Sequence, residues 1–501
     1  MHSDRQKEKG MNPWAALGAL CVGYFMILLD MTIVAVANPA IMIGLHTDMP
    51  KVIWVTSAYL LTFAVPLLVT GRLGDRFGPK YLYLGGVSIF TMASLWCGLA
   101  GSIESLIAAR AVQGLGAALI APQTMAVIGR IFPWDKRGAA MGVWGGVAGV
   151  GALIGPIFGG VLVDSGGWQW IFFVNLPIGV IAFALGARSI PVLPTTDHRI
   201  DIPGMALVAI GMSALVIGIQ EGNSYHWAGW VWGLILGGLA VLAVFLIHQS
   251  RNSIEPLMPL SVFRNRNFSL GNIATSALSA AATAQAVPSY FYLQAVRDLS
   301  PTRAALVVAP MAIVSGSLSP LVGKLSDKVS PRYLLTFGFT LFAAGMWWFI
   351  TLVTPHGSIP LMCVVGAVCG VGNAFIWAPL PAATMRTLPI EQMGTASGVY
   401  NTNRQLGSAL GSAGIGALLA ARMTTHALPN GSSSAGDHLP DFLAAPYSAA
   451  LSDSLYLSVG LLALCAVATA FLDSGAPPSI APTSAADKET KVGVTDVMES
   501  P

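Results

Sequence analysis

The chain consists of long apolar runs separated by short polar segments. A helix needs about 20 predominantly apolar residues to cross a bilayer, and the runs reach or exceed that length. Fourteen runs begin near Trp14, Val52, Tyr81, Ile103, Ala139, Trp170, Pro203, Ala228, Phe268, Ala304, Tyr333, Ile359, Gly394 and Leu455. This pattern predicts an all-α integral membrane protein with about fourteen transmembrane helices.

The composition excludes an ordinary soluble protein. Of the 501 residues, 54% are hydrophobic and only 10% are charged, whereas soluble domains carry roughly 25% charged residues. The net charge is +3 without a basic block, so we expect no nucleic-acid partner. The five cysteines fall in apolar runs without metal-ligand spacing. We therefore read them as buried hydrophobic residues and expect no metal and no cofactor.

The basic residues predict the orientation of the chain. With the N-terminus inside, twenty of the 26 Lys and Arg residues lie in inner segments, four lie in outer segments and two lie within helices. This bias predicts that both termini are cytoplasmic. The first run is too long for a signal peptide and is interrupted by Asp30. We expect a multi-pass protein of the bacterial plasma membrane.

Two pairs of segments indicate an internal duplication. GRLGDRFGPKY at 71–81 aligns without gaps to GKLSDKVSPRY at 323–333, and GAAMGVW at 138–144 aligns to GTASGVY at 394–400. The similar offsets predict two six-helix bundles with a central site, which is a transporter architecture. The predicted parts are an N-terminal tail (1–13), a first bundle (14–191), two inserted helices (203–247), a second bundle (268–472) and a disordered cytoplasmic tail (473–501). An outer loop of unassigned function is expected near 422–452.

Three charged residues are predicted deep inside helices. A charge at that depth is costly and marks a candidate functional site. Asp30 and Arg110 are each expected about 10 Å from the outer end of their helix, at a shared level. Burial favours the protonated form of Asp30 and a nearby Arg110 favours the ionised form, so Asp30 is the candidate proton carrier. The alternative is a static ion pair. Arg404, about 15 Å deep, has no evident acidic partner, and it either binds anions or serves structure.

Two glycine-containing segments are candidates for conformational roles. GRLGDRFGPK is expected in a tight inner loop, where glycines allow close helix approach and positive φ, and where Asp75 accepts hydrogen bonds from a neighbouring helix N-terminus. In the fifth predicted helix, Gly151, Gly155 and Gly159 lie four residues apart on one face, which permits tight helix contact.

Six segments in order resemble the major facilitator superfamily, specifically the fourteen-span drug:proton antiporter branch of EmrB/QacA type. The resemblance covers nearly everything except the two tails. It is carried by LLDMTIVAVANPAI at 28–41, GRLGDRFGPK at 71–80, RAVQGLGAALIAP at 110–122, GALIGPIFGG at 151–160, WQWIFFVNLPIG at 168–179 and NRQLGSALG at 403–411.

The resemblance implies specific roles for these segments. It assigns proton coupling to Asp30 and Arg110. It implies that the inner loop latches the halves in the outward-facing state and breaks on inward opening, through Gly71, Arg72, Gly74, Asp75, Arg76, Gly78 and Lys80. The glycine-rich segment is typical of antiporters rather than symporters, and would form a pliable seam with Gly151, Gly155, Pro156, Gly159 and Gly160.

The substrate cavity is expected between the first and fourth helices and their counterparts in the second half. Aromatic and methionine side chains with few charges suit lipophilic, often cationic, small molecules. Asp30 is the deep carboxylate available to attract a cation. Lipid-facing positions are the alternative for each candidate. The candidates are Tyr24, Met31, Gln113, Gln123, Gln285, Tyr290, Asn373, Phe375, Trp377 and Arg404.

The leading hypothesis is a proton-coupled multidrug efflux antiporter that works by alternating access in the lipid bilayer, with protons and a small molecule as its partners. We expect a monomer. We do not expect an enzyme, because the sequence lacks HExxH motifs, phosphate-binding loops and clustered histidines, and we therefore assign no catalytic residues. The alternatives are uptake, export of an endogenous metabolite, peptide or lipid, and a channel or a sensor.

Overall fold

A computed structural model describes residues 12–195, 201–252, 256–326, 328–377, 379–388, 392–426, 428 and 439–473. These residues form helices and connecting turns, without a strand among them. Fourteen long helices follow one another: α1 Pro13–Gly44, α2 Met49–Phe77, α3 Pro79–Gly98, α4 Ile103–Ile131, α5 Trp134–Gly166, α6 Trp170–Ser189, α7 Ile202–Glu221, α8 Gly229–Arg251, α9 Arg266–Phe291, α10 Pro301–Ser326, α11 Pro331–Leu352, α12 Ile359–Trp377, α13 Met393–Thr425 and α14 Asp441–Ala470.

Thirteen of these helices are long and apolar enough to cross a membrane, when the described residues are searched. The remaining long helix, α9, carries more Ser, Thr and Ala, but it packs between α13 and α14. Short segments extend the helices: a 3-10 turn at Leu260–Arg264, a π-helical turn at Tyr292–Val296 and a helical turn at Pro379–Met385. The predicted all-helical membrane architecture is confirmed.

Polar residues at the helix starts explain several of the boundaries. The side-chain oxygens of Asn12, Asp48, Ser102, Asp201 and Asn265 each accept a backbone N–H from the first turn of α1, α2, α4, α7 and α9, respectively. Such N-caps satisfy backbone donors that a helix leaves free at its start. Helices α1, α2, α3 and α7 also have proline in their first two positions, where its missing N–H costs nothing.

The helices pack as two bundles of six. In the first bundle α4 contacts α2 and α3, and α1 contacts α5 and α6; in the second bundle α12 contacts α10 and α11, and α9 contacts α13 and α14. The two copies of the repeated segment span the α2–α3 turn and the α10–α11 turn, which are equivalent places in the two bundles. Helices α7 and α8, which lie between the two bundles in the sequence, pack on each other.

The two bundles are joined at one face, which is the face away from the α2–α3 turn. There Ser57 Oγ of α2 lies 2.7 Å from Ser412 Oγ of α13, and both serines are buried. Gln294 Nε2 donates to the Val36 carbonyl oxygen at 2.8 Å, and the Thr302 N–H donates to Asp164 Oδ2 at 3.1 Å. We call this face outer and the opposite face inner, following the orientation predicted from the basic residues.

Towards the inner face, α5 lies beside open space. A Cβ atom added at Gly142, Gly145, Gly146 or Gly149 would meet nothing within 4 Å, whereas one added at Gly160 would meet the backbone of α10 at Thr302. The bundles therefore touch along the outer part of α5 and separate along its inner part. The molecule has an inward-open arrangement.

Hydrogen bonds join the inserted helices to each other at the inner end and to the two bundles at the outer end. At the inner end, Asp201 accepts hydrogen bonds from His248 Nε2 at 2.8 Å and Gln249 Nε2 at 2.7 Å. At the outer end, Trp54 Nε1 of α2 donates to Glu221 Oε1 at 2.6 Å, and Asn223 Nδ2 donates to the Ala417 carbonyl oxygen of α13. The pair therefore bridges the two bundles at the outer face.

Some predicted boundaries are wrong. Helix α13 extends to Thr425 and α14 begins at Asp441, so the outer loop expected at 422–452 is much shorter, and 429–438 lies outside the described residues. Pro446 and several polar residues in the first half of α14 gave that stretch a loop-like composition. The inserted helices occupy Ile202–Arg251 rather than 203–247, and the second bundle begins at Arg266 rather than 268. Most of the tails, at 1–11 and 474–501, lies outside the described residues.

Candidate proton-coupling site and central cavity

Asp30 of α1 and Arg110 of α4 form a fully buried ion pair. Arg110 Nη1 lies 2.5 Å from Asp30 Oδ2; Arg110 is 1% exposed and Asp30 is 0% exposed. The two residues meet at one level, as predicted, but the depth predicted for Asp30 is wrong: α1 continues to Gly44, so Asp30 lies about 21 Å from the end of its helix rather than about 10 Å. Both charges have left water, a change that is unfavourable unless the remaining polar atoms are also satisfied.

Neutral donors complete the surroundings of Asp30. Gln113 Nε2 of α4 lies 2.9 Å from Asp30 Oδ1, and Asn175 Nδ2 of α6 lies 3.0 Å from the same oxygen. Ser94 Oγ of α3 lies 2.8 Å from Gln113 Nε2 and 3.4 Å from Asn175 Nδ2. Side chains from α1, α3, α4 and α6 thus form one buried polar network around a carboxylate.

Arg110 is held on its other sides as well. Its Nε donates to the Val55 carbonyl oxygen of α2 at 3.2 Å, and its Nη1 donates to Gln113 Oε1 at 2.6 Å. The guanidinium carbon lies 4.1 Å from the ring centroid of Tyr59. These contacts link every helix of the first bundle except α5 to the ion pair. A movement of Arg110 would therefore change contacts in most of the bundle.

The predicted latch loop makes most of its contacts within its own bundle. Asp75 pairs with Arg130 at the end of α4, and Lys80 Nζ donates to the Ala187 carbonyl oxygen at 2.7 Å. Arg72 donates to the Pro256 carbonyl oxygen, in the segment that follows the inserted helices, and Arg76 lies over the ring of Phe77. Asp75 was expected to accept from a helix N-terminus; a side chain of the C-terminal turn of α4 takes that place.

The expected inner loop is mostly helical: residues 71–77 form the last turns of α2, Pro79 and Lys80 begin α3, and Gly78 alone separates the two helices. The three glycines of this segment differ in what requires them. Gly78 has φ +90°, a conformation that favours glycine. Gly74 has normal φ, but a Cβ atom there would collide with the amide of Gln123. Gly71 has open space beside it. Positive φ therefore applies to one of the three glycines and close approach to another.

Three glycines of α5 face α1. Added Cβ atoms at Gly151, Gly155 and Gly159 would meet Leu28, Thr32 and Ile33, respectively, which lie on the same helix as Asp30. Gly160 instead meets α10 of the other bundle. Pro156 lies one turn earlier, inside α5. The tight helix contact predicted from the glycine spacing is thus the contact between α1 and α5.

Two of the predicted cavity residues lie together at the centre. Tyr24 of α1 and Arg404 of α13 interact electrostatically, although they come from different bundles. Tyr24 also stacks on Trp144 of α5, with ring centroids 4.6 Å apart. This places an arginine and two aromatic rings at the junction of the bundles.

The other cavity candidates are not gathered there. Gln113 belongs to the Asp30 network, and Gln123 donates to the Thr70 carbonyl oxygen of α2. Asn373 donates to Ser315 Oγ of α10, and Phe375 packs against Phe337 of α11 with ring centroids 5.1 Å apart. The remaining candidates are scattered: partly buried Met31, Gln285, whose buried Oε1 has no partner among the described residues, buried Tyr290 and surface-exposed Trp377.

Sequence reasoning missed Asn175, Ser94 and Trp144. Asn175 stands in an otherwise apolar stretch, IFFVNLPIG at 171–179, and a lone amide in such a stretch is a signal that could have been read. Ser94 gives no comparable signal, because serines are common in membrane helices. Trp144 was passed over because tryptophan is common at membrane interfaces.

Comparison with known proteins agrees with this architecture. The family model of the Major Facilitator Superfamily matches residues 20–412. The chain is a member of the major facilitator superfamily. It is therefore a membrane transporter rather than an enzyme.

Two curated relatives extend this finding. The chain is 47% identical to an uncharacterized MFS-type transporter of Mycobacterium tuberculosis over 92% of this chain and 81% of that protein. It is 33% identical to the tetracenomycin C resistance and export protein of Streptomyces glaucescens over 82% of this chain and 77% of that protein. Both organisms are bacteria, and the second relative is an antibiotic exporter by its name.

A solved structure shares the fold. A bacterial homolog of the human lysosomal transporter Spinster, in an inward-facing and unoccupied conformation, matches with a TM-score of 0.64 and 17% identity. The match covers 94% of this chain and 100% of that chain. At this identity the likeness concerns the fold alone, and its helical arrangement is that of this superfamily.

Proposed function

We propose that this transporter is a proton-driven antiporter of the fourteen-helix drug-efflux branch. It exports lipophilic small molecules across the bacterial plasma membrane, as a monomer with both termini in the cytoplasm. The observation that carries the proposal is the buried Asp30 carboxylate, held by Arg110, Gln113 and Asn175. A buried acid with both charged and neutral partners is suited to take up and release one proton.

Protonation of Asp30 would change its contact with Arg110. The ionised carboxylate accepts from Arg110 at 2.5 Å, and a neutral carboxyl group would lose most of that attraction. Arg110 would then be free to shift against Val55 and Tyr59 on α2. Because α2 packs on α13 of the other bundle, such a shift reaches the contact between the bundles.

The tight α1–α5 contact passes the same change to the cavity. Asp30 and Tyr24 stand on one helix, and Gly151, Gly155 and Gly159 of α5 pack closely against that helix. A protonation step at Asp30 would therefore be accompanied by movement at the cargo site. This linkage between two sites on one helix is what an antiporter requires.

The inner loop would act as a latch in the other half of the cycle. In the inward-open arrangement, Asp75 pairs with Arg130 of its own bundle. We propose that Gly71, Arg72, Gly74, Asp75, Arg76, Gly78 and Lys80 engage the second bundle when the inner face closes. The second copy has Ser326 and Ser330 in place of two glycines, which would make it the weaker latch.

The direct test uses purified protein in proteoliposomes with an imposed pH gradient and two dyes, rhodamine 123 and fluorescein. We expect at least one dye to accumulate against its concentration gradient on the side from which protons leave, and a protonophore should stop it. Dye movement that only follows its own gradient, with or without the protonophore, would contradict antiport. Accumulation on the side to which protons move would instead indicate symport and uptake.

A further inference from the structure

Arg404 carries a positive charge that no described acidic residue balances. It lies eleven residues into α13, about 16 Å along that helix, and it forms no ion pair with the acidic residues that the structure describes. Its Nε atom is buried and has no hydrogen-bond acceptor within that part of the chain. A guanidinium group in these surroundings favours an anionic oxygen as its neighbour.

Trp144 presents a second donor of the same kind. Its indole ring stacks on the ring of Tyr24 at an interplanar angle of 21°, and its Nε1 atom is buried without an acceptor among the described residues. Tyr24 in turn interacts with Arg404. Two N–H donors that lack acceptors therefore lie beside one aromatic pair, and buried donors of this kind are normally satisfied.

These residues lie at one depth and belong to both bundles. Tyr24 and Trp144 stand eleven and ten residues after the first residues of α1 and α5, which matches the depth of Arg404 on α13. A ligand that contacts all three would touch both moving parts of the transporter. At the same level, α1 and α5 border an open apolar groove of about 430 Å³ lined in part by Cys21, Phe25 and Val147. This volume falls within the usual range for small-molecule sites.

Asp30 does not offer a competing negative charge to this site. Its oxygens already accept from Arg110, Gln113 and Asn175, and the residue is 0% exposed. The sequence predicts cationic cargo from cation–π attraction to aromatic side chains and from Asp30 as a carboxylate that could attract a cation, and the structure shows that this carboxylate is already paired. In the inward-open arrangement the unbalanced charge at the centre is positive.

We propose that Arg404, Trp144 and Tyr24 bind the acidic group of a planar aromatic compound, with the ring system on the apolar α1–α5 groove. The acidic group is a carboxylate, a phenolate or an enolate, because each presents oxygen acceptors to the two N–H donors. Weakly acidic aromatic compounds are then the preferred cargo. This inference rests on the proposed export function and names its substrate class.

The test compares two dyes with the same fused-ring core and opposite charge. Fluorescein is anionic and rhodamine 123 is cationic, and binding of each to the purified protein in lipid nanodiscs is measured by fluorescence polarisation at pH 7.5, with empty nanodiscs as the blank. We expect fluorescein to bind more tightly. Arg404→Gln should weaken fluorescein binding about 10- to 100-fold, and Arg404→Lys should recover part of the loss. Trp144→Phe, which keeps a ring but lacks the donor, should also weaken it.

Binding at equilibrium separates this inference from the proposed function. If wild-type protein binds rhodamine 123 more tightly, or if folded Arg404→Gln binds fluorescein as wild type does, the substrate class is wrong even when proton-driven transport is observed. If Arg404 governs fluorescein binding but no dye moves against its gradient, the antiporter proposal fails and the binding site stands. Thermal unfolding of each variant, measured alongside, identifies a variant that is merely misfolded, and Arg404→Lys and Trp144→Phe then supply the decisive comparison.

Discussion

Asn175 Nδ2 of α6 lies 3.0 Å from Asp30 Oδ1 of α1, and both residues are completely buried. This hydrogen bond ties α6 to the carboxylate that we propose as the proton carrier. A donor to a carboxylate stabilises its ionised form. Asn175 is therefore a positioning residue for Asp30 rather than a residue of the cargo site.

Asn175→Ala should shift the pH dependence of transport without abolishing transport. Loss of one donor makes proton release from Asp30 harder, so the pH of half-maximal rate should move to a more alkaline value. The measurement is the initial rate of dye flux in proteoliposomes between pH 5.5 and 8.5. An unchanged profile with a lower rate throughout would mean that Asn175 only supports packing.

Arg110→Leu should destabilise the protein, because it leaves an unpaired carboxylate in the interior. Breaking a buried ion pair costs roughly 3–5 kcal/mol. The double variant Asp30→Asn with Arg110→Leu removes both charges and should recover much of the lost thermal stability, but it should not transport. Recovery of transport in the double variant would show that the pair is static, since neither charge would then be needed for coupling.

A disulfide across the outer face should arrest the cycle. Ser57 Oγ and Ser412 Oγ lie 2.7 Å apart between α2 and α13, so Ser57→Cys with Ser412→Cys should crosslink on oxidation. Because the outer face must open during export, oxidation should stop dye flux and a reductant should restore it. Each single variant is the matched control and should be insensitive to oxidant. Full-rate transport by the crosslinked protein would mean that these helices do not separate.

The stability of the inner end of the inserted helices should depend on Asp201. Burial acts to raise the pKa of this carboxyl group, but hydrogen bonds from His248, the Gly204 N–H and Gln249 outweigh it, so its pKa is lowered. A lowered pKa in the folded state stabilises the fold above the ordinary aspartate pKa of about 3.9, and the benefit disappears as pH falls through the lower value.

Asp201→Ala should therefore lower thermal stability at neutral pH. Loss of the N-cap of α7 alone costs about 1 kcal/mol, and the donors of α8 lose their acceptor as well. Differential scanning fluorimetry at pH 7 and pH 3.5 checks this, and the gap between wild type and variant should narrow at the lower pH. A gap that widens on acidification would contradict the assigned direction of the pKa shift.

The sequence was sufficient for the helices and for the ion pair. Fourteen apolar runs correspond to the fourteen helices, because a bilayer demands a minimum apolar length. Asp30 and Arg110 are expected together from the sequence; the rise per residue gives the depth of Arg110 on α4, whereas α1 extends further beyond Asp30 than its apolar pattern predicts. The rise per residue could not reveal that Asn175 joins these two residues. Helix α6 begins with a separate helical turn at Trp170–Phe173, and this turn changes the direction in which the following side chains face.

The helix faces were harder to predict. Lipid and protein interior are both apolar, so hydrophobic pattern does not distinguish the inward side of a membrane helix from the outward side. For this reason Phe375 and Trp377 were assigned to the cavity, although Phe375 packs on α11 and Trp377 is exposed. The start of α14 was missed because Pro446 and nearby polar residues resemble a loop.

Proton coupling through Asp30 is the central claim, and Asp30→Asn in proteoliposomes tests it most directly. We predict that this variant loses dye accumulation driven by a pH gradient but keeps dye exchange between equal pools, because exchange needs no net proton movement. Asp453→Asn is the matched control, since Asp453 is a partly exposed carboxylate of α14 that pairs with His426 at the outer end of α13, and it should behave as wild type. Gradient-driven accumulation by Asp30→Asn at the wild-type rate would contradict the account.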